Sequence, residues 1–241
     1  AGNQNATGDD NVYIGSNAGK GVNGNSNDDN VGIGSDCMKG ITTGTRNTAV
    51  GRGSGDGLTT VNRTVIIGDS AGSGVMTTNS GGSIPSYADG TIAIGYTAGY
   101  ALTTGAGNIA IGYEALLQHT TGTDNIAIGY GAMDATGNRP ASVDNIAIGK
   151  DALGGTWDTA NSDYNIGIGS HTLKGAMNDA DSNIAIGYSA LNALTTADGT
   201  VAIGHQALAA LTVGAGNTAV GYTAMNDLVD GARNTAIGYN A

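Results

Sequence analysis

From Asn108 to Tyr130 the chain reads NIAIGYEALLQHTTGTDNIAIGY, with the same six letters at both ends, 17 residues apart. Apolar and small or polar positions alternate within each copy. Ile109 and Ile111 share one strand face, and Asn108, Ala110 and Gly112 share the other. β-Branched residues fit a pleated, half-buried surface, so each copy predicts a strand of about five residues. A segment this short, closed by glycine, does not support a helix.

Aligning the chain on Ile/Val-Gly gives thirteen copies, with glycines at Gly15, Gly34, Gly51, Gly68, Gly95, Gly112, Gly129, Gly149, Gly169, Gly187, Gly204, Gly221 and Gly238. Their spacings return to 17 residues between occasional insertions, which is the signature of a repeat architecture. Ile or Val precedes every one of these glycines, and Val, Ile or Thr stands three before it. Between those two lies mostly Ala, with Tyr13, Gly32, Ile66 and Gly167 as variants. Four before the glycine is Asn in ten copies and Thr in three (Thr64, Thr91, Thr200). Three after it is Ala, or Cys37, Ser54 or Thr172, and then Leu, Met or Gly.

Strands repeated this way stack in parallel, one coil on the next, at about 4.8 Å per step. The expectation is an all-β parallel β-solenoid of about thirteen 17-residue coils, a single array over residues 1–241. Its longer insertions fall near 73–90, 134–144 and 154–164. Asn108, Asn125, Asn145, Asn165, Asn183, Asn217 and Asn234 then fall into a column, each amide bonding to its neighbours as in the Asn ladders of stacked sheets. Ile and Leu are expected to fill the thin interior. The Ala face carries neither charge nor bulk where a wet face would collect both, so it is expected to meet another chain, as in a homotrimer.

Composition narrows the core and the partners. With 43 Gly, no Phe and aromatics at 5%, the interior must be built from small and β-branched residues. A net charge of −11 repels phosphate backbones and anionic headgroups, which argues against nucleic-acid and membrane-surface partners. No apolar run approaches the roughly 20 residues that span a bilayer. The one cysteine, Cys37, leaves no intrachain disulfide framework. The chain begins without Met and shows no polar cap at either end, so a segment of a longer fibre is expected.

The pattern Asn-x-Ala-Ile-Gly, then a polar residue and Ala, resembles the head repeats of trimeric autotransporter adhesins. The longer form with Gly-Tyr-x-Ala-Leu resembles repeats of bacteriophage tail fibres. The resemblance covers almost the whole chain. It implies a trimeric left-handed β-roll displayed outside a cell or on a virion surface and serving attachment. The adhesin heads use shorter coils than 17 residues.

Apparent catalytic motifs dissolve in the repeat. Gly68-Asp69-Ser70-Ala71-Gly72 matches the nucleophile elbow, yet Gly15-Ser16-Asn17-Ala18-Gly19 fills the same phase without that serine. Gly19 to Gly24 matches G-x-G-x-x-G but has no βαβ unit around it. His119, His171 and His205 fall at different phases and predict no metal triad. Aspartates gather in connections such as Asp9-Asp10, Asp28-Asp29 and Asp179-Ala180-Asp181, where calcium is a conceivable ligand. Solvated loop charge is the plainer reading, and no cofactor and no enzyme activity are expected.

The slot after the glycine holds Tyr96, Tyr113, Tyr130, Tyr188, Tyr222 and Tyr239, but also Arg52, Asp69, Lys150 and His205. A position accepting those charges faces water. The tyrosines therefore predict a broken exposed column suited to glycans or an interface, with shielding of the core as the plainer role. Trp157, in a polar insertion, is either a ligand platform or a clamp. The resulting expectation is a structural and adhesive extracellular fibre segment with self-association and surface glycans as partners. A self-assembling filament subunit is the alternative. An ice-binding solenoid, suggested by the Asn column and the Thr-Thr-Gly turns at Thr103 and Thr120, ranks behind because insertions interrupt the array.

Overall fold

The computed structural model describes residues 2, 7–22, 24, 26–77, 88–136, 141–157 and 160–241. Pro85 and Pro140, with parts of all three long insertions, lie outside the described residues. The chain divides into two compact units, residues 1–124 and 125–241. Every copy of the repeat forms a strand, and no helix occurs among the described residues.

The first unit contains β1 (Val12–Ile14), β2 (Val31–Ile33), β3 (Thr48–Val50), β4 (Val65–Ile67), β5 (Ile92–Ile94) and β6 (Ile109–Ile111). They pair in sequence order, all parallel, with equivalent slots opposite one another from Val12↔Val31 to Ile94↔Ile111. The second unit contains β7 (Ile126–Ile128), β8 (Ile146–Ile148), β9 (Ile166–Ile168), β10 (Ile184–Ile186), β11 (Val201–Ile203), β12 (Thr218–Val220) and β13 (Thr235–Ile237), paired by the same rule. Each unit is thus a parallel β-solenoid, one strand per coil. The 27-residue spacing between the fourth and fifth glycines leaves register intact, with Ile66 opposite Ala93. An insertion spliced into a connection lengthens the loop without moving the strand.

Strands are three residues long rather than five. The glycine that follows each leaves the pleat, as Gly95 does at φ +141°. The Asn that precedes most of them is committed through its side chain, as Asn145 is to Asn125 Oδ1.

The facing of the strands is the reverse of the expectation. Ala49, Ala93 and Ala110 in the first unit, and Ala127, Ala147 and Ala185 in the second, are fully buried. The β-branched residues on either side of them point outward and are partly exposed. The reason is thickness. The facing wall of most coils sends in a large side chain from four or seven residues after the glycine, such as Leu116, Leu153, Leu191, Leu58 and Leu102. These already fill the space above the alanines. A Cβ added at Gly167 would overlap Leu153 Cδ1. Isoleucines pointing inward would overfill such a core.

Position-by-position exchanges keep this interior full. Tyr13 takes the Ala slot in β1, and the next coil answers with Gly32, whose missing Cβ would lie 2.8 Å from the Tyr13 ring. The Tyr13 hydroxyl donates to Asn27 Oδ1 at 2.8 Å. Ile66, fully buried in the same slot, faces Gly72, where a Cβ would lie 3.1 Å from its side chain.

The corner after each strand is left-handed. Met38, Leu116, Met133, Leu153, Leu173, Leu191, Leu208 and Met225 all have φ between 47° and 53°. Such a backbone costs a non-glycine residue about 1–2 kcal/mol. Burying the side chain returns about 1.5–3 kcal/mol, and the corner N–H reaches the next coil, as Met38 N–H does to Ser54 O at 3.0 Å.

Candidate functional site

The Asn column exists, buried at Asn108 in the first unit and at Asn125, Asn145, Asn165, Asn183 and Asn217 in the second, and exposed at Asn234. In the second unit Asn145 Nδ2 donates to Asn125 Oδ1 at 3.1 Å, Asn165 Nδ2 to Asn145 Oδ1 at 3.2 Å, and Asn183 Nδ2 to Asn165 Oδ1 at 3.1 Å. Asn234 Nδ2 bonds Asn217 Oδ1 in the same way at 3.0 Å. The second amide hydrogen of each goes to a backbone carbonyl across the coil, Ser162 O for Asn145 and Ala180 O for Asn165. Asn108 Nδ2 donates to Gly122 O at 2.8 Å in the first unit. After Asn47 and Asn183, where Thr takes the next place, the acceptor is still used, by Thr64 Oγ1 to Asn47 Oδ1 at 2.8 Å and by the Thr200 backbone N–H to Asn183 Oδ1 at 3.0 Å. The buried part of the column is a structural spine, closed to any ligand.

The slot after the glycine does face solvent, and its rings meet one another. Tyr96 and Tyr113 stack at 5.1 Å between centroids. In the second unit Tyr188, His205, Tyr222 and Tyr239 form a continuous stack at 5.2, 5.0 and 5.1 Å, with planes within 21° of parallel. Lys150 places its ammonium 5.7 Å from the Tyr130 ring centroid. The spacing follows from the parallel register, which sets like slots about 4.8 Å apart. Both faces of Tyr222 and His205 are taken by neighbouring rings. The column therefore offers ring edges and hydroxyls, where a stacking sugar would need an open ring face. His171, one slot further on, still brings its ring to 5.8 Å from Tyr188, a contact its sequence phase did not suggest.

Trp157 leaves the surface set. It is fully buried, so its role is a clamp in the interior and not a platform. It stands one residue beyond the slot that Leu194 and Leu211 fill in later coils, and Met177 makes the same one-residue shift. Cys37 is also interior, donating its thiol to Ala49 O at 3.3 Å, and burial pushes that thiol up to about 11. Ser70 spends its hydroxyl on Asp69 at 2.9 Å, and Asp69 is paired with Arg52.

The loop aspartates also have work within the fold. Val143, Asp163 and Asp181 each donate a backbone N–H to the aspartate one coil on, Asp163, Asp181 and Asp198, at 2.9, 2.7 and 2.9 Å. Burial first, then the neighbouring Asp181, Asp144 and Asp179, raise the Asp163 carboxyl above the usual range. Among the described residues no three His, Cys, Asp or Glu side chains converge as a metal site. The threonines of the Thr-Thr-Gly turns are likewise engaged, Thr103 Oγ1 with Thr120 O at 3.0 Å.

His119 occupies the interior slot that Leu58 and Leu102 hold in earlier coils. Burial pushes its imidazole down to about 4, against a partly compensating hydrogen bond to the Gly122 backbone. The unfolded chain takes up this proton near pH 6.5, whereas the folded chain stays neutral until about pH 4. Its contribution to stability is thus complete above pH 6.5 and is lost as pH falls toward 4. The expected loss is about 3 kcal/mol. Urea midpoints of wild type and His119→Leu at pH 7, 5.5 and 4.5 check this. The gap between the two should shift steadily in favour of the variant on acidification, and a constant gap would refute it.

Both rows of outward β-branched residues remain. They make a flat apolar strip along each unit, Ile92, Ile94, Ile109 and Ile111 in the first and Ile166, Ile168, Ile184 and Ile186 in the second. This strip is the surface that sequence reasoning missed, and its signal was thickness, since a core already taking large side chains such as Leu, Met or Trp157 from the opposite wall has no room for two Ile more per coil. No protein-family model, curated protein or solved structure matches this chain.

Proposed function

We propose that the chain is a segment of a self-associating fibre, displayed outside a cell or on a virion and serving attachment, whose copies pack through the Ile/Val strips. The observation that carries this is the strip itself. Contiguous apolar patches on monomers seldom exceed a few hundred Å². Here two columns of β-branched side chains run side by side through successive coils, with Ile168 and Ile203 each 37% exposed. The interface assigned above to the Ala face moves to this opposite face, while a homotrimer remains the proposed assembly. Three strips facing a common axis bury one another without leaving an apolar edge. Solvent-facing aromatic edges, hydroxyls and loops then provide the multivalent outer surface, and the resemblance of the repeats to adhesin heads and tail fibres supports that use.

Light scattering across a range of concentrations tests the assembly. The expected mass is about 71 kDa, three times the 23.6 kDa of one chain. Ile94→Asp with Ile111→Asp is expected to give monomers with an unchanged circular dichroism spectrum, because both side chains point out of the coil. A wild type that stays monomeric throughout would overturn the proposal. Open-ended growth with concentration would favour the filament subunit.

A further inference from the structure

Two of the chain's four lysines, Lys20 and Lys39, occupy the same slot in successive coils of the first unit, with Asp56 and Ser73 next in that slot. All four line one open groove of about 570 Å³, away from the sheet face. Each is followed by a glycine, and those at Gly40 and Gly57 lie so close to the next coil that a Cβ would come within 2.6 Å of backbone atoms there. Coil stacking thus keeps the groove floor free of side chains. Val22 and Val75 flank it as apolar rims, 54% and 61% exposed.

Stacked coils hold the two ammonium-bearing residues one step apart, about 4.8 Å along the axis. Lys39 has an exposed ion pair with Asp36 at 3.4 Å, and Lys20 has no ion pair among the described residues. One Asp56 carboxylate oxygen is buried without a hydrogen-bond partner among the described residues. The groove therefore gathers cations, an acceptor, a hydroxyl and apolar rims over four coils, about 14 Å.

We infer that this groove binds an acidic saccharide. Its carboxylate sits between Lys20 and Lys39, its hydroxyls face Asp56 and Ser73, and its C–H faces lie against Val22 and Val75. A saccharide with one carboxylate per ring fits better than a polyphosphate, because Asp56 and the chain's net charge of −11 oppose a denser polyanion. The inference deepens the attachment reading, on which it rests for its biological sense, by naming a ligand class and a site separate from the aromatic column.

Titration calorimetry with trigalacturonate and with neutral maltotriose, at low and high salt, provides the test. The expected result is binding of the acidic trisaccharide alone, weakened by salt, and reduced about tenfold or more in Lys20→Gln/Lys39→Gln. Both lysines lie at the surface, and unchanged circular dichroism would confirm that the variant folds. Equal binding by wild type and variant would remove the groove as the site. Absence of trigalacturonate binding would overturn the inference, and so would tighter binding of maltotriose. Neither result bears on self-association, which the mass measurement decides independently.

Discussion

Gly95→Ala is expected to destabilise the first unit by about 4 kcal/mol or more. Two causes add. The residue sits at φ +141°, where a side chain is strained whatever the surrounding space. The new Cβ would also overlap the Gly112 carbonyl oxygen and lie 2.6 Å from its carbon. That neighbour is backbone and cannot swing aside. Gly112 N–H donates to Ile94 O at 2.8 Å and Gly95 N–H to Ile67 O at 2.8 Å, so relief requires parting the coils. Thr97→Gly is the control, a change two residues away at φ 49°, expected to stay within about 1 kcal/mol of wild type. Urea unfolding of both variants checks the contrast, with hydrogen exchange reporting whether β4–β6 lose protection first. Similar midpoints for the two would show that coil spacing tolerates a methyl group, contrary to the geometry.

The second large effect is expected at Asn165. Its Nδ2 serves Asn145 Oδ1 and Ala180 O, and its Oδ1 accepts both the backbone N–H and the side-chain amide of Asn183 at 2.9 and 3.1 Å. Asn165→Ala leaves polar groups on both neighbouring coils and across the coil buried without partners. At about 1–3 kcal/mol for each group, the loss should reach about 4 kcal/mol. Asn165→Thr should cost less than half as much, because the chain already tolerates Thr64, Thr91 and Thr200 in this slot. A threonine hydroxyl there can donate one coil back, as Thr64 does to Asn47. Thermal midpoints of the two variants decide the matter. If Ala and Thr prove equivalent, the ladder contributes shape and not hydrogen bonding.

Much of this was legible in the chain. Period, strand positions and the Asn ladder follow from local spacing, because identical slots stacked in register must meet their own copies. Tyr13 opposite Gly32 and Ile66 beside Gly72 are visible as paired departures from the consensus once slots are compared. The aromatic column was legible as a column, but its use of ring faces was not, since ring orientation depends on the coil-to-coil step. Trp157 stayed open between platform and clamp because a one-residue shift in its coil, which turns an apparent loop residue inward, cannot be read from spacing alone. His171 was assigned to a different phase, yet its side chain is long enough to reach the ring in the next coil.

The sharpest division lies in the strand itself. Alternation in Asn-Ile-Ala-Ile-Gly separates two faces without ambiguity, but alternation is symmetric and carries no sign for inside and outside. That sign came from the opposite wall. Leu116, Leu153 and their equivalents enter from left-handed corners, and a coil this thin has room for them over alanine but not over isoleucine. The sequence alone therefore settled what repeats and with what period. Volume, summed across the two walls of a coil, decided which face is core and which is left for a partner.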